Sequence, residues 1–233
     1  MIPNPFPGTY FAFEGIDGNG KTTLIEYFLK WLMSLRLFNV VNTKEPNKNG
    51  IYGKAIYADL ANSNGLHVTN PKYFQSLYAC DSRENLRDVV IPAISHPHTV
   101  VVSDRCRLSM VYGVETFKDL YELKRINQAI LGEYFIWPDA IFILDVNVEM
   151  AMARLKRKGR QLDGLENAEK LERVRKLYEL MVNPVPPAIP IDKDFPNCYL
   201  IHAQFEPELI MRRVSSIATN ILIKRGQLSE AGA

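Results

Sequence analysis

Residues Gly15-Ile16-Asp17-Gly18-Asn19-Gly20-Lys21-Thr22 fit the pattern G-x-x-x-x-G-K-[ST] without a gap, and no other feature narrows the possible folds as much. The run before it, Thr9 to Glu14, is short, apolar and aromatic and stops at Gly15, which reads as a buried strand. After it, Leu24, Ile25, Phe28, Leu29 and Leu32 keep helical spacing between Lys21 and Leu35. A glycine-rich loop between a strand and a helix lets backbone N–H groups wrap a phosphate chain, and the helix turns its positive end toward it. The pattern therefore predicts a nucleotide phosphate cradle made of Gly15, Ile16, Asp17, Gly18, Asn19, Gly20, Lys21, Thr22 and Thr23. In it, Lys21 bridges the terminal phosphates of the donor and the Thr22 hydroxyl ligates magnesium.

The remaining chain alternates in the same manner. Phe38 to Thr43 predicts a second strand, ending in Lys44-Glu45-Pro46-Asn47. Helices are expected over Tyr52 to Ala61 and from Pro71 to Ile94, the latter with its proline in the first turn. Thr99 to Ser103 and Ala140 to Leu144 read as buried strands, and Lys118 to Glu133 as a helix between them. Helices follow at Val148 to Lys158 and Ala168 to Met181. The five prolines between Asn183 and Pro196 demand an irregular connection. Cys198 to Ile201 reads as a last strand, Glu206 to Ile223 as a closing helix, and 226–233 as a frayed tail. Short apolar strands alternating with helices predict an α/β fold, with a five-stranded parallel sheet between two layers of helices. In such sheets ligands gather at the carboxyl ends of the strands.

Composition sets the outer bounds. A chain of 233 residues with 47% hydrophobic and 23% charged residues suits a single globular domain over 1–233. A net charge of +2 is too balanced to announce a nucleic-acid partner. Three scattered cysteines, Cys80, Cys106 and Cys198, form neither a disulfide framework nor a zinc pattern, and they suit a reducing cytoplasm. No apolar run reaches the roughly 18–20 residues needed to cross a bilayer, so no membrane partner is expected.

Asp104-Arg105 closes the third strand, beside the predicted cradle. The acidic residue occupies the place of a second group near the metal, and the arginine is placed to reach a second phosphate. Lys44 and Lys48 flank the Glu45-Pro46-Asn47 turn, while Arg157, Lys158 and Arg160 precede Asp163. Phosphoryl transfer needs several cations around two phosphate groups, and a basic loop at about 157–167 would serve as a lid that excludes water.

With these motifs in order, the chain resembles the thymidylate kinase family of P-loop nucleoside monophosphate kinases. Phe13 to Thr23 is very close to the family's phosphate loop, and Lys44-Glu45-Pro46 is similar to its Arg-Glu-Pro turn. Val90-Ile91-Pro92-Ala93 followed by Val102-Ser103-Asp104-Arg105 matches its helix–strand–Asp-Arg block. The resemblance implies transfer of the γ-phosphoryl group of ATP to dTMP with Mg2+, in a homodimer. It implies catalytic roles for Lys21, Asp17, Arg105 and a lid arginine, and metal ligation by Thr22 and Asp104. For the acceptor nucleotide it implies Asp17, Lys48, Tyr78, Arg83, Arg105 and Tyr112, with Tyr78 stacking on the base.

Three departures stand out. The arginine that reads the thymine edge in the family aligns with Ser82, and the neighbouring Arg83 is rotated by ~100° on a helix. The family's Ser-x-x-Ala-Tyr-Gln-Gly pattern is one residue shorter here, as Ser109-Met110-Val111-Tyr112-Gly113. In the lid, Gly164 stands where an arginine is usual, leaving Arg160 as its expected substitute. These departures keep two alternatives open: a kinase for another deoxynucleotide or deoxynucleoside, and a catalytically weak nucleotide-binding regulator of the same fold.

Overall fold

The computed structural model describes residues 4–115, 117–157, 165, 167–182 and 197–229. The chain runs β1 (Thr9–Glu14), α1 (Lys21–Ser34), β2 (Asn39–Lys44), α2 (Ile51–Leu60), α3 (Leu66–Thr69), α4 (Pro71–Asn85) and α5 (Ile91–Ile94). It continues through β3 (Thr99–Asp104), α6 (Phe117–Leu131), β4 (Ala140–Asp145), α7 (Val148–Arg157), α8 (Ala168–Val182), β5 (Cys198–His202) and α9 (Pro207–Lys224). The strands form one parallel sheet in the order β2-β3-β1-β4-β5. The order reverses at β1, so the loop after β1 opens into the crevice where open α/β sheets bind ligands.

β1 is central and fully buried, and its alternation divides two jobs. Phe11 and Phe13 point to one face, where they meet Phe28 of α1 and Phe142 of β4 with ring centroids 5.1–6.0 Å apart. Edge and tilted contacts of this kind contribute about 0.5–1.5 kcal/mol each beyond the area they bury. Glu14, two residues on from Ala12, falls on the opposite face, and its carboxylate enters the site described below. The aromatic cluster thus fixes the strand whose end carries the phosphate loop.

Two stretches differ from the sequence reading. The helix from Pro71 starts with its proline in the first turn as expected, and Asn70 Oδ1 caps it by accepting from the Tyr73 amide at 3.3 Å. It does not run unbroken to Ile94, because Leu86–Val90 widens into a π turn before α5. Pro92 lies just beyond, lacks an amide donor, and crowds the preceding turn, so wider backbone spacing there relieves a bond that cannot form. The expected frayed tail is packed from Gly226 to Leu228, while its residues 230–233 lie outside the described residues. Gln227 donates to Pro7 O at 2.7 Å and faces Thr9 Oγ1 at 2.5 Å, while Leu228 is buried. Arg225 reaches Asp139 and the carbonyls of Phe6 and Gly8, which ties the segment before β1 and the segment after α9 to the base of the sheet. Most of the expected lid, with Arg160, Asp163 and Gly164, and the 183–196 connection lie outside the described residues. Among the described residues no helix is long and apolar enough to cross a membrane.

Candidate active site

The loop after β1 is held open by its own residues. Gly15 and Gly18 adopt φ of 125° and 82°. A Cβ would lie 2.4 Å from Leu144 O at the first and 2.4 Å from Ala151 O at the second, so the loop needs glycine there on two counts. Asn19 is buried and braces the loop. Its Nδ2 donates to Leu144 O at 3.1 Å, and its Oδ1 accepts from the Lys21 amide at 3.1 Å and from Lys21 Nζ at 3.3 Å. Arg154 of α7 donates to Asn19 O at 3.2 Å from the other side.

Lys21 Nζ also approaches Gly15 O at 3.4 Å. Burial, aided by the nearby Arg105 charge, lowers its pKa to about 8. Two carbonyl oxygens are weak counterparts for a buried ammonium, so a phosphate entering the loop would favour its charged form further. Thr22 and Thr23 are exposed, and both line a cavity with Lys44, Lys48, Asp104 and Arg105.

Asp104 ends β3. Its Oδ2 accepts from Lys44 Nζ at 2.9 Å, while its Oδ1 is buried without a hydrogen-bond partner. Burial alone would raise this carboxyl's pKa, but Lys21, Arg105 and Lys44 hold it below the usual aspartate value. A buried, ionised and half-satisfied carboxylate in the same cavity as the exposed Thr22 suits a cation with most of its ligands supplied by water and phosphate.

Arg105 joins the loop to the neighbouring cavity. Its φ is 73°, a left-handed value costly for a side chain with a Cβ, of order 1–3 kcal/mol. The conformation is held by its amide donating to Phe13 O at 2.9 Å and by Ser103 Oγ donating to its carbonyl at 2.5 Å. The guanidinium then donates to Asp17 Oδ1 at 2.5 Å and to Gly15 O at 3.2 Å, and it lies over the Tyr112 ring at 5.2 Å. Tyr112 donates to Asp17 Oδ2 at 3.1 Å, closing a three-residue ring. Burial works against ionisation of Asp17, yet Arg105 and Lys21 keep its pKa below the usual value.

Behind this ring stands Glu14, which is fully buried. Its carboxylate accepts from the Cys106 amide at 2.9 Å, from Ser109 Oγ at 3.0 Å and from Tyr178 OH of α8 at 2.9 Å, with Arg105 Nη1 at 3.5 Å. The sequence alone gives Glu14 and Tyr178 no role, and it presents Ser109 only as the start of the shortened block. The available signal was a carboxylate at the end of an otherwise apolar central strand, which requires several donors to be buried.

The second cavity is lined by Asp17, Pro46, Tyr57, Leu60, Tyr78, Arg105, Ser109, Tyr112 and Leu165. It shares Asp17, Pro46, Tyr57 and Arg105 with the cavity over the phosphate loop, so the two adjoin. Tyr78 is on its wall and Lys48 is exposed over the Tyr57 ring at 5.0 Å. Arg83 is not on the wall: it is exposed and its guanidinium lies over Tyr134 at 5.4 Å. Ser82 faces inward instead, its hydroxyl donating to Glu45 Oε2 at 2.8 Å, as the ~100° step per helical residue requires. Asn85 donates to Glu45 Oε1 at 2.8 Å, and burial of this carboxyl raises its pKa to about 7. Asp81, with both oxygens 3.1 Å from the Asn47 amide, holds the other end of the turn.

A third cavity lies beyond the loop, between Gly18, Gly20 and Arg154 on one side and Ala203, Phe205 and Pro207 on the other.

A reversed parallel sheet with a glycine-lined, lysine-bearing loop at its switch point defines a P-loop phosphotransferase fold. Comparison with known proteins narrows this. The model of the thymidylate kinase family matches residues 13–187. A thymidylate kinase of Desulforudis audaxviator is 33% identical over 173 residues, covering 73% of this chain and 76% of that one. One of Ureaplasma parvum is 31% identical over 176 residues, covering 73% and 75%. One of Caldicellulosiruptor saccharolyticus is 29% identical over 222 residues, covering 94% and 99%. The chain belongs to the thymidylate kinase family.

Proposed function

We propose that this protein transfers the γ-phosphoryl group of ATP to dTMP, giving ADP and dTDP. The observation that carries the reading is the adjoining pair of cavities, one over the phosphate loop and one beside it, meeting at Asp17 and Arg105. An acceptor phosphate at that junction faces the end of a triphosphate held by the loop. Family membership names the two nucleotides.

The reaction needs position and charge rather than a side-chain nucleophile. An oxygen of the acceptor phosphate attacks the γ-phosphorus in line, and the bond to the ADP oxygen breaks on the opposite side. Loop amides from Gly15 to Lys21 and the Lys21 ammonium hold the donor phosphates. Arg105, aimed by Asp17 and Glu14, fixes the acceptor phosphate, and Lys48 adds positive charge at the rim. Tyr78 stacks on the acceptor base, Tyr112 and Asp17 flank its sugar, and the third cavity takes the donor adenosine. Thr22 and Asp104 would hold Mg2+, which when bound neutralises charge building on the phosphates. Among the lid residues, Arg160 supplies the cation that Gly164 does not. Loss of turnover in Arg157→Ala but not in Arg160→Ala would reassign that role. A homodimer and a cytoplasmic location complete the reading on family grounds.

The test is the initial rate of ADP release from Mg-ATP with and without dTMP. The expected result is a rate that depends on dTMP and is lost in Lys21→Ala. ATP binding with no acceptor-stimulated release would refute the kinase reading and favour a nucleotide-binding regulator.

A further inference from the structure

Resting on the acceptor reading above, we infer that Asp59 and His67 are positioning residues for the acceptor nucleotide. Their contact joins α2 to α4 behind the acceptor cavity and so sets the space into which the base fits. Neither residue is on the cavity wall, but each sits behind residues that are.

Asp59 is the penultimate residue of α2, the helix that places Tyr57 and Leu60 on the wall. Its Oδ1 accepts from the Leu66 amide at 2.6 Å. Its Oδ2 accepts from the His67 amide at 3.0 Å and meets His67 Nδ1 at 2.8 Å. Burial works against the charged form, yet these donors hold the carboxyl below the usual aspartate value. An ionised carboxylate only accepts, so Nδ1 carries the ring proton. The turn between the two residues is closed tightly: a Cβ at Gly65 would lie 2.6 Å from Asp59 O and 2.8 Å from both carboxylate oxygens.

His67 carries the contact across to α4. It is buried, and its ring meets that of Phe74 with centroids 5.7 Å apart. Phe74 is buried in turn and meets Tyr78 edge-on at 5.3 Å. Phe74 and Tyr78 are four residues apart and share a face of α4. A line of contacts therefore runs from α2 through Asp59, His67 and Phe74 to the ring that stacks on the base. Capping α3 requires only the two amide bonds to Asp59; the third bond, to the ring, is the one that ties α2 to α4. Leu60 and Tyr78 line the acceptor cavity and not the one over the phosphate loop, so the consequence falls on the acceptor alone. A pocket with altered spacing binds the ground state and the transition state less well to the same degree, which raises KM and leaves kcat in place.

The test measures kcat and KM for dTMP, and KM for ATP, in the wild type, His67→Leu, His67→Asn and Asp59→Asn, each well below its own Tm. His67→Leu removes the donor and is expected to raise the KM for dTMP about tenfold, roughly the worth of one hydrogen bond to a charged group. Its kcat and its KM for ATP should stay within about twofold of wild type. His67→Asn, whose side-chain amide can donate where Nδ1 does, is expected to recover most of that loss. Asp59→Asn removes the charge that fixes the ring, gives the same selective rise, and decides the matter if His67→Leu fails to fold. A lowered Tm with an unchanged KM for dTMP would mark the pair as a helix cap and nothing more, and would overturn the inference. Equal rises in both KM values would overturn it too, as would a His67→Asn enzyme no better than His67→Leu. A wild type that turns over no acceptor at all would instead overturn the kinase reading, and this inference with it.

Discussion

The two halves of the site are built by opposite strategies. The phosphate loop is largely local: Gly15, Asn19 and Lys21 hold one another within seven residues, and Leu144, Arg154 and Arg105 brace it from elsewhere. The acceptor side is assembled from distant segments. Glu14 of β1 gathers Cys106, Ser109 and Tyr178, the last 164 residues away, so that Arg105 can face Asp17 and Tyr112. A local cradle keeps its shape on its own residues. A dispersed pocket depends instead on buried polar hubs that draw distant segments together.

The largest expected effect tests the local half. Lys21→Ala removes the only side-chain cation within the loop, and kcat should fall about 10²–10³-fold, as when one preorganised charge donor is deleted from a transition state. Unchanged Tm in the same variant would show that the loop does not rely on this side chain for its shape; collapse of the fold would erase the contrast drawn here.

Glu14→Gln tests the dispersed half. The neutral amide leaves Arg105 without the buried one of its two anionic partners and offers donors where three donors already converge. Removing one partner of a buried ion pair costs about 3–5 kcal/mol, and here Asp17 remains, so about 2–3 kcal/mol of unfolding free energy should be lost. The KM for the acceptor should rise more than the KM for ATP. Equal rises would mean that Glu14 supports both halves and that the division is wrong.

A smaller effect probes the turn that carries Glu45. Its pKa is raised by burial from 4.5 to about 7, so the folded state binds the proton more tightly than the unfolded chain. Stability from this group is therefore full below about pH 4.5 and is lost as pH rises through about 7, by roughly 3 kcal/mol at most. Asp81, raised from 3.8 to about 6, acts in the same direction over a lower window. Asp17 and Asp104 act oppositely, their contribution present above about pH 3.8 and lost in stronger acid. Urea unfolding at pH 5 and pH 8 should show a smaller difference for Glu45→Gln than for wild type; an unchanged difference would remove Glu45 from the account.

The sequence discloses what is contiguous. Eight adjacent residues define the loop, and runs such as Val100-Val101-Val102 define the buried strands, because apolar continuity and glycine spacing are local properties. The π turn at Leu86–Val90 is hidden, since Pro92 marks a disturbance without saying how the helix absorbs it. The hub at Glu14 is hidden for another reason: nothing near it in the chain announces Tyr178 or Ser109 as donors. Ser82 and Arg83 lie between these cases. Helical rotation states that they face apart, but only the packed structure shows that the inward serine is bound to Glu45.

The central claim is that the two cavities are donor and acceptor halves of one phosphotransfer site. The most direct test is to supply ATP labelled in its γ-phosphoryl group together with dTMP and to follow the label. The account predicts that it appears in the β-phosphate of dTDP, and that Lys21→Ala abolishes the transfer. Label released only as inorganic phosphate, at a rate indifferent to dTMP, would contradict it.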